Sequence, residues 1–318
     1  MEYGNIIGIS RPVSRIFFGT AVGPMLAGEN MDAVLDGALE QGINAFDCAR
    51  SYGQAENVLG DWIRRRGCRD QVTVLSKCGD IRNGVVHVDA QVIREQLEAS
   101  LRTLKAGVID LYLLHRDDPL TPVGEMIDEL NRAVKEGKIR AFGVSNWKTD
   151  RIREADAYAE RTGQSGFAVS SPNWGLARQM DDLWGGGCVT ISGPEHAADR
   201  AWYAETGMPV IAYSSLGRGF FSGKFRAFDE AGARSVLDSY AQKGYLYPEN
   251  MRRLRNAEIL AEKKNASVAK IAMAYALAGE MNVFAVVSTT KAERLAESAE
   301  AAEMRLTAEE TAFLEEDA

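Results

Sequence analysis

Residues 108–115 read VIDLYLLH, a nearly continuous apolar run closed by His115. A strand with apolar side chains on both faces belongs in a parallel sheet covered by helices, since only there are both faces buried. Upstream, residues 89–104 bring Val92, Ile93, Leu97 and Leu101 to one helix face. Downstream, PVGEMIDELNRAVKEG (122–137) is a helix with Pro122 near its start and Gly137 at its end.

The alternation extends both ways. Towards the N-terminus lie a strand at 72–77 (VTVLSK) and a helix at 54–66 carrying Val58, Leu59, Trp62 and Ile63. Before them, INAFDCARSYG (43–53) reads as a buried strand breaking into a Gly-terminated turn, after a helix at 30–41 that Gly42 stops. Residues 3–10 and 13–18 read as a small hairpin followed by the first buried strand, VSRIFFG, ending at Gly19-Thr20. Towards the C-terminus come strands at 139–146, 167–171, 209–216 and 282–288. Helices are expected at 148–161, 195–206, 249–264 and 267–279, with closing helices near 291–302 and 307–316.

About eight strand–helix units in strict alternation predict an α/β fold, a (β/α)8 TIM barrel. With no Pro/Ser-rich linker, residues 1–318 read as a single domain. A doubly wound sheet is disfavoured, because no Gly-x-Gly-x-x-Gly follows the first strand. Residues 218–249 read as one long irregular region rich in Gly and aromatics, a lid, substrate wall or partner-binding loop.

Composition narrows the function classes. The 46% hydrophobic and 26% charged residues supply an ordinary globular core, and the net charge of −8 argues against a nucleic-acid surface or an anionic-membrane patch. Cys48, Cys68, Cys78 and Cys188 show no metal-ligand spacing and read as reduced thiols, so no metal is expected. The N-terminus lacks a basic segment followed by an apolar one, and no apolar run reaches membrane-spanning length, which makes a cytoplasmic location the default.

Barrel sites lie at the C-terminal ends of the strands. Polar residues there are Asp47, Lys77, His115, Ser145-Asn146, Ser171, Tyr213-Ser214-Ser215 and Ser288-Thr289-Thr290, with Tyr52 five positions past Asp47. Thr73, Leu75 and Lys77 share one parity, as do Leu111, Leu113 and His115, so both chemical side chains turn inward. A Lys77–Asp47 pair beside the Tyr52 phenol is expected to lower the phenol's pKa. Tyr52 then serves as general acid while the imidazole stabilises developing oxyanion charge. Each residue alone also has a bland explanation as a cap, a snorkelling cation or a rim histidine.

On these residues the chain resembles the aldo-keto reductase superfamily. The matching segments are FDCARSYGQAENVLG (46–60), VLSKCG (74–79), SLRTLKAGVIDLYLLHRDDP (100–119), EGKIRAFGVSNW (136–147), VIAYSSLGRGFFSGK (210–224) and STTKAERLAES (288–298). The resemblance implies reduction of a small aldehyde or ketone with NADP(H), NADPH being favoured over NADH, by hydride transfer without metal or flavin. It implies Tyr52 as proton donor, Asp47 and Lys77 as its tuning pair, and His115 as the residue orienting the carbonyl.

On the cofactor side it implies Gly19, Thr20, Asp47, Ser145, Asn146, Ser171 (where the family commonly has Gln), the stacking aromatic Tyr213, and the turn Ser214, Ser215, Leu216, Gly217 and Gly219. The adenosine-phosphate grip is implied at Ser288, Thr289, Thr290, Lys291, Arg294, Glu297 and Ser298, with Lys291 and Arg294 on a 2′-phosphate. Trp147 and Trp174 are expected either to wall the substrate beside Tyr52 and His115 or to pack under loops. The competing expectations are a non-catalytic nucleotide-binding regulator resembling potassium-channel β-subunits, and a hydrolase pairing Asp47 with a second carboxylate, for which Glu56 has no placement. Substrate identity and oligomeric state stay open.

Overall fold

The computed structural model describes residues 1–81 and 83–316. A two-stranded antiparallel hairpin (β1, Tyr3–Gly4; β2, Val13–Ser14) precedes a closed barrel of eight parallel strands. These are β3 (Ile16–Gly19), β4 (Ala45–Asp47), β5 (Thr73–Cys78), β6 (Ile109–Leu114), β7 (Ile139–Ser145), β8 (Val169–Ser171), β9 (Val210–Ala212) and β10 (Val283–Val287), with β10 closing onto β3.

The helices follow the strands as the apolar periodicity requires. They are α1 (Gly23–Ala27), α2 (Asp32–Glu40), α3 (Ala55–Arg66), α4 (Ala90–Leu104), α5 (Val123–Lys135), α6 (Thr149–Thr162) and α7 (Ala197–Thr206). The C-terminal part adds α8 (Glu230–Val236), α9 (Ser239–Tyr245), α10 (Pro248–Lys264), α11 (Val268–Leu277), α12 (Glu293–Ala301) and α13 (Ala308–Glu315). In α4 the buried face is Ile93, Leu97, Ser100 and Leu104, with the expected Val92 and Leu101 on its flanks. The Asp89 carboxylate caps this helix by accepting from Val92 N.

Strand parity decides what the barrel holds. Phe17, Ala45, Leu75, Leu111, Leu113, Val169, Ile211 and Phe284 fill the interior, and Ile6, Ile9 and Val13 of the hairpin region join the same cluster. The opposite parity, including Phe18, Phe46, Val74, Tyr112 and Phe142, packs against the helices. The register pairs Asp47 with Leu75, and Lys77 with Leu113. The polar residues that follow each inward apolar position therefore emerge together at the C-terminal rim.

Two departures from the sequence reading have physical causes. Residues 218–249 are not one irregular region, because Asp229 and Asp238 cap the short helices α8 and α9 by accepting from Gly232 N and Ala241 N. Their aromatics are mostly core, with Phe220, Phe221, Phe225 and Tyr245 buried. The long irregular connection is instead 172–193, tied to the barrel through bridges of Asn173 with Thr190 and Tyr213.

Helix α3 lies against the end of α4 at Gly60, where a Cβ would stand 2.3 Å from the Leu104 carbonyl oxygen. Backbone on both sides leaves nothing flexible to give way. Gly60→Ala is expected to lower stability by roughly 1–3 kcal/mol despite alanine's better helix propensity, seen as a lower urea midpoint.

Candidate active site

A cavity of about 730 Å³ opens at the C-terminal ends of the barrel strands, a volume in the usual range for small-molecule sites. Its floor is built from β4, β5 and β6. Lys77, buried near the end of β5, places Nζ 2.5 Å from Asp47 Oδ1, 2.9 Å from the Cys48 carbonyl oxygen and 3.4 Å from Tyr52 Oη. The same ammonium lies 4.9 Å from the centroid of the Tyr52 ring. The Tyr52 and His115 rings meet edge-on with centroids 5.6 Å apart. Asp47 thus has the partner a carboxylate at the end of an apolar strand needs.

The turn holding Tyr52 is fixed from behind. Arg50 N donates to the Lys77 carbonyl, and Arg50 Nη1 reaches Glu56 Oε2 at 2.6 Å. Glu56 Oε1 accepts from Ser76 Oγ at 2.7 Å. Glu56 is buried between α3 and β5 and does not line the cavity, so it cannot be the second carboxylate of a glycosidase-like pair with Asp47.

The electrostatics correct one expectation. Burial pushes the Tyr52 phenol up to about 12, with Lys77 pulling against it and Asp47 adding to the rise. The cation moderates the shift without reversing it. For Lys77 burial works downwards, but the charge and hydrogen bond of Asp47, with the charge of Tyr52, hold the ammonium above its ordinary value. Burial raises the Asp47 carboxyl and Lys77 opposes that rise. Lys77 is a cation and Tyr52 a protonated phenol at neutral pH.

His115 is pushed down to about 3, first by burial and then by the Lys77 cation, with Asp80 opposing and Arg116 adding to the fall. Its Nδ1 faces Ser51 Oγ at 3.4 Å and Asp80 Oδ2 at 3.5 Å. A histidine depressed in the folded state leaves the unfolded chain binding the extra proton between about pH 6.5 and 3. This group therefore costs stability as pH falls through that window. The kcat/KM profile is expected to show no limb near pH 6.5, since the imidazole stays neutral down to the acid range. A pH-rate series on the folded enzyme checks this.

Further residues of the sequence reading meet in the same cavity wall: Gly19, Ser145, Asn146, Ser171, Tyr213, Ser214, Ser215, Leu216, Gly219, Ser288, Thr289, Arg294, Glu297 and Ser298. Thr20, Gly217, Thr290 and Lys291 do not line it. Thr20 is buried behind it, its Oγ1 donating to the Asp47 carbonyl, and Gly217 is buried against Ala177 and Phe220. Thr290 and Lys291 are exposed beyond the rim.

Neither expected tryptophan walls the cavity. Trp147 packs edge-on against Phe167, and Trp174 stacks on Tyr275 while its Nε1 donates to the Ala276 carbonyl. Trp184, from the 172–193 connection, stands in the wall instead, 5.7 Å from the Tyr213 ring and beneath the Arg218 guanidinium. Asp80, Ile81, Arg116, Arg218, Ser222 and Lys224 also line the cavity. A tryptophan beside three consecutive glycines (Trp184–Gly187) was the one signal in the sequence that could have drawn attention to this loop.

The wall suits a phosphate-bearing dinucleotide. Arg218 Nε and Ser222 Oγ are buried there with no hydrogen-bond partner among the described residues. Arg218, Gly217 and Gly219 take left-handed backbone angles, a turn form that aims N–H groups at an anion. Lys224 and Arg294 add positive charge on the same wall.

The parallel barrel thus gathers Asp47, Tyr52, Lys77 and His115 in one cavity at the C-terminal ends of its strands. The chain belongs to the Aldo/keto reductase family, whose profile matches residues 15–316, and is an oxidoreductase of that family, which generally uses NAD(P)H. Aldo-keto reductase YhdN of Bacillus subtilis is 36% identical over 234 residues, 70% of this chain and 65% of its own length. An aldo-keto reductase of Gibberella moniliformis is 30% identical over 91% of this chain and 84% of its own length. A probable voltage-gated potassium channel subunit beta of Oryza sativa subsp. japonica is 26% identical over 95% of this chain and 91% of its own length.

Proposed function

We propose that this protein reduces an aldehyde or ketone to the alcohol with NADPH, Tyr52 delivering the proton to the nascent alkoxide. The observation that carries this reading is Lys77 Nζ contacting both Asp47 (2.5 Å) and Tyr52 Oη (3.4 Å) beside the His115 ring. When bound, the reduced nicotinamide supplies the hydride. The chain's own part is to hold a proton at Tyr52 Oη, keep the Lys77 charge next to it, and orient the carbonyl oxygen. Orienting the carbonyl oxygen requires the single imidazole proton of neutral His115 on Nε2, the tautomer in which Nδ1 accepts from Ser51 Oγ.

Of the residues lining the cavity, we assign Ser145, Ser171 and Tyr213 to the nicotinamide, and Ser214, Ser215, Leu216, Arg218 and Gly219 with Lys224 to the pyrophosphate. The cavity-lining residues Ser288, Thr289, Arg294, Glu297 and Ser298 are assigned to the adenosine, with the exposed Lys291 beside them. Arg294, exposed there, supports NADPH over NADH through a 2′-phosphate contact. Arg294→Ala is expected to weaken NADPH roughly ten- to hundredfold while leaving NADH nearly unchanged, as measured by fluorescence titration.

The reading is tested by NADPH oxidation with simple aldehydes such as 4-nitrobenzaldehyde. The likeness to the rice channel subunit supports a second reading, a nucleotide-binding regulator on the same barrel. Nucleotide binding without turnover on any carbonyl would favour that role, whereas steady turnover excludes a purely regulatory one.

A further inference from the structure

Arg116 follows His115 just past the end of β6, is 4% exposed and lines the cavity. A guanidinium carries five N–H donors in a planar fork and keeps its charge when buried. Such a cation needs an anionic partner and filled hydrogen bonds. The chain meets that need on one edge only. Arg116 Nε donates to Asp80 Oδ1 at 3.4 Å, an oxygen that also accepts from Ile81 N at 2.9 Å. At the other end Nη1 donates to the Gly186 carbonyl oxygen at 3.4 Å and to Cys188 Sγ at 3.3 Å. Nη2 has no hydrogen-bond partner among the described residues.

These contacts are long beside the roughly 2.7–2.9 Å of a charge-assisted pair. Neither acceptor at the Nη end is an anion. Burial holds the Cys188 thiol above its ordinary value, with Arg116 pulling against that rise, so Sγ is neutral at neutral pH. Gly185, Gly186 and Gly187 all take positive φ, so the backbone facing Nη1 has little stiffness of its own and yields to an incoming group. Ile81 approaches Gly185, and Ile81 and Trp184 line the same cavity, which puts apolar surface beside the charge. His115 and Arg116 are consecutive, their Cα atoms about 3.8 Å apart. A group held by Arg116 therefore lies within a small molecule's length of a carbonyl at His115 and Tyr52.

We propose that the substrate is an oxo acid, a small aldehyde or ketone bearing a carboxylate, and that Arg116 takes this carboxylate on its Nη1–Nη2 end. The inference rests on the reductase reading and adds a substrate class to it. A carboxylate matches the planar fork with two parallel hydrogen bonds. It displaces only the neutral contacts to Gly186 and Cys188, while Asp80 keeps the Nε edge. The Asp80 charge so close by also disfavours a phosphate dianion relative to a carboxylate monoanion.

The test compares each acid with its own methyl ester, which keeps the carbonyl and removes the charge. Pyruvate, succinic semialdehyde and 4-carboxybenzaldehyde present the carboxylate at three separations from the carbonyl. The esters are no less electrophilic, so a preference for the acid comes from binding. In at least one pair, kcat/KM for the acid should exceed that for the ester about tenfold or more. Arg116→Met should bring this acid-to-ester ratio down to about one or below. Arg116→Lys keeps the charge without the fork and should give an intermediate ratio; it also covers the case in which the methionine variant does not fold. Asp80→Asn removes the repelling carboxylate and should raise the ratio.

A second readout needs no turnover. Benzoate should quench tryptophan fluorescence at about tenfold lower concentration than benzamide in the wild-type protein, and should lose that advantage in Arg116→Met. A ratio near one for all three acid and ester pairs would overturn the proposal, as would an acid preference that survives in Arg116→Met. If neither acids nor esters are reduced, the reductase reading falls, and the benzoate titration still decides whether Arg116 is a carboxylate site.

Discussion

Tyr52→Phe is expected to lower kcat for carbonyl reduction by roughly 10²- to 10⁴-fold, the range that positioned proton transfer supplies. The change removes one oxygen and little else. Tyr52 Oη makes its recorded contact with Lys77 at 3.4 Å, and Lys77 keeps Asp47 at 2.5 Å and the Cys48 carbonyl at 2.9 Å. The phenylalanine ring still lies where the ammonium faces it, at 4.9 Å in the native arrangement. Stability should therefore change by no more than about 1 kcal/mol. Nucleotide affinity, measured by fluorescence, should hold within about threefold. Loss of affinity and turnover together would assign Tyr52 to the architecture instead.

Lys77→Met should damage both fold and chemistry. It strands the Asp47 carboxylate, 6% exposed, without a cation. Breaking a buried pair from one side costs roughly 3–5 kcal/mol because the remaining charge is uncompensated. The pH dependence carries the signature. Without Lys77 the folded Asp47 pKa rises further above its unfolded value, so the variant's deficit is smallest in acid and grows as pH increases through that raised pKa. Adding Asp47→Asn should recover much of the lost stability, since an amide tolerates burial better than a lone carboxylate. Turnover should stay low in the double variant, which still lacks the cation beside Tyr52. Denaturant melts at pH 5 and 8 with parallel rate measurements separate the two effects.

The candidate Asp47–Tyr52–Lys77–His115 cluster was legible because strand parity is rigid. Leu75 and Leu113 point into the barrel, so Lys77 and His115, two positions on, follow them to the rim. A helix end was legible where a glycine punctuates the chain, as at Gly42, which follows α2 with a left-handed backbone. The aromatic wall was not legible. Trp147, Trp174 and Trp184 are equally apolar in sequence, and which of them faces the cavity depends on how the 172–193 connection returns across the barrel. The aromatics of 218–249 were likewise unreadable as core, because the short helices α8 and α9 bury them only when docked.

By itself, the sequence determined the alternating strand–helix order, the inward parity of each strand and the order in which Asp47, Tyr52, Lys77 and His115 arrive. These follow from local periodicity, which the chain carries in every short window. Only the tertiary structure decided that Tyr52 keeps its proton up to about 12, that Glu56 braces the Tyr52 turn, and that Asn146 Oδ1 accepts from Val189 N of the 172–193 connection. Those outcomes depend on burial and on partners far apart in the chain. Desolvation and hydrogen-bond saturation are properties of the closed barrel, where they override what each residue would do alone.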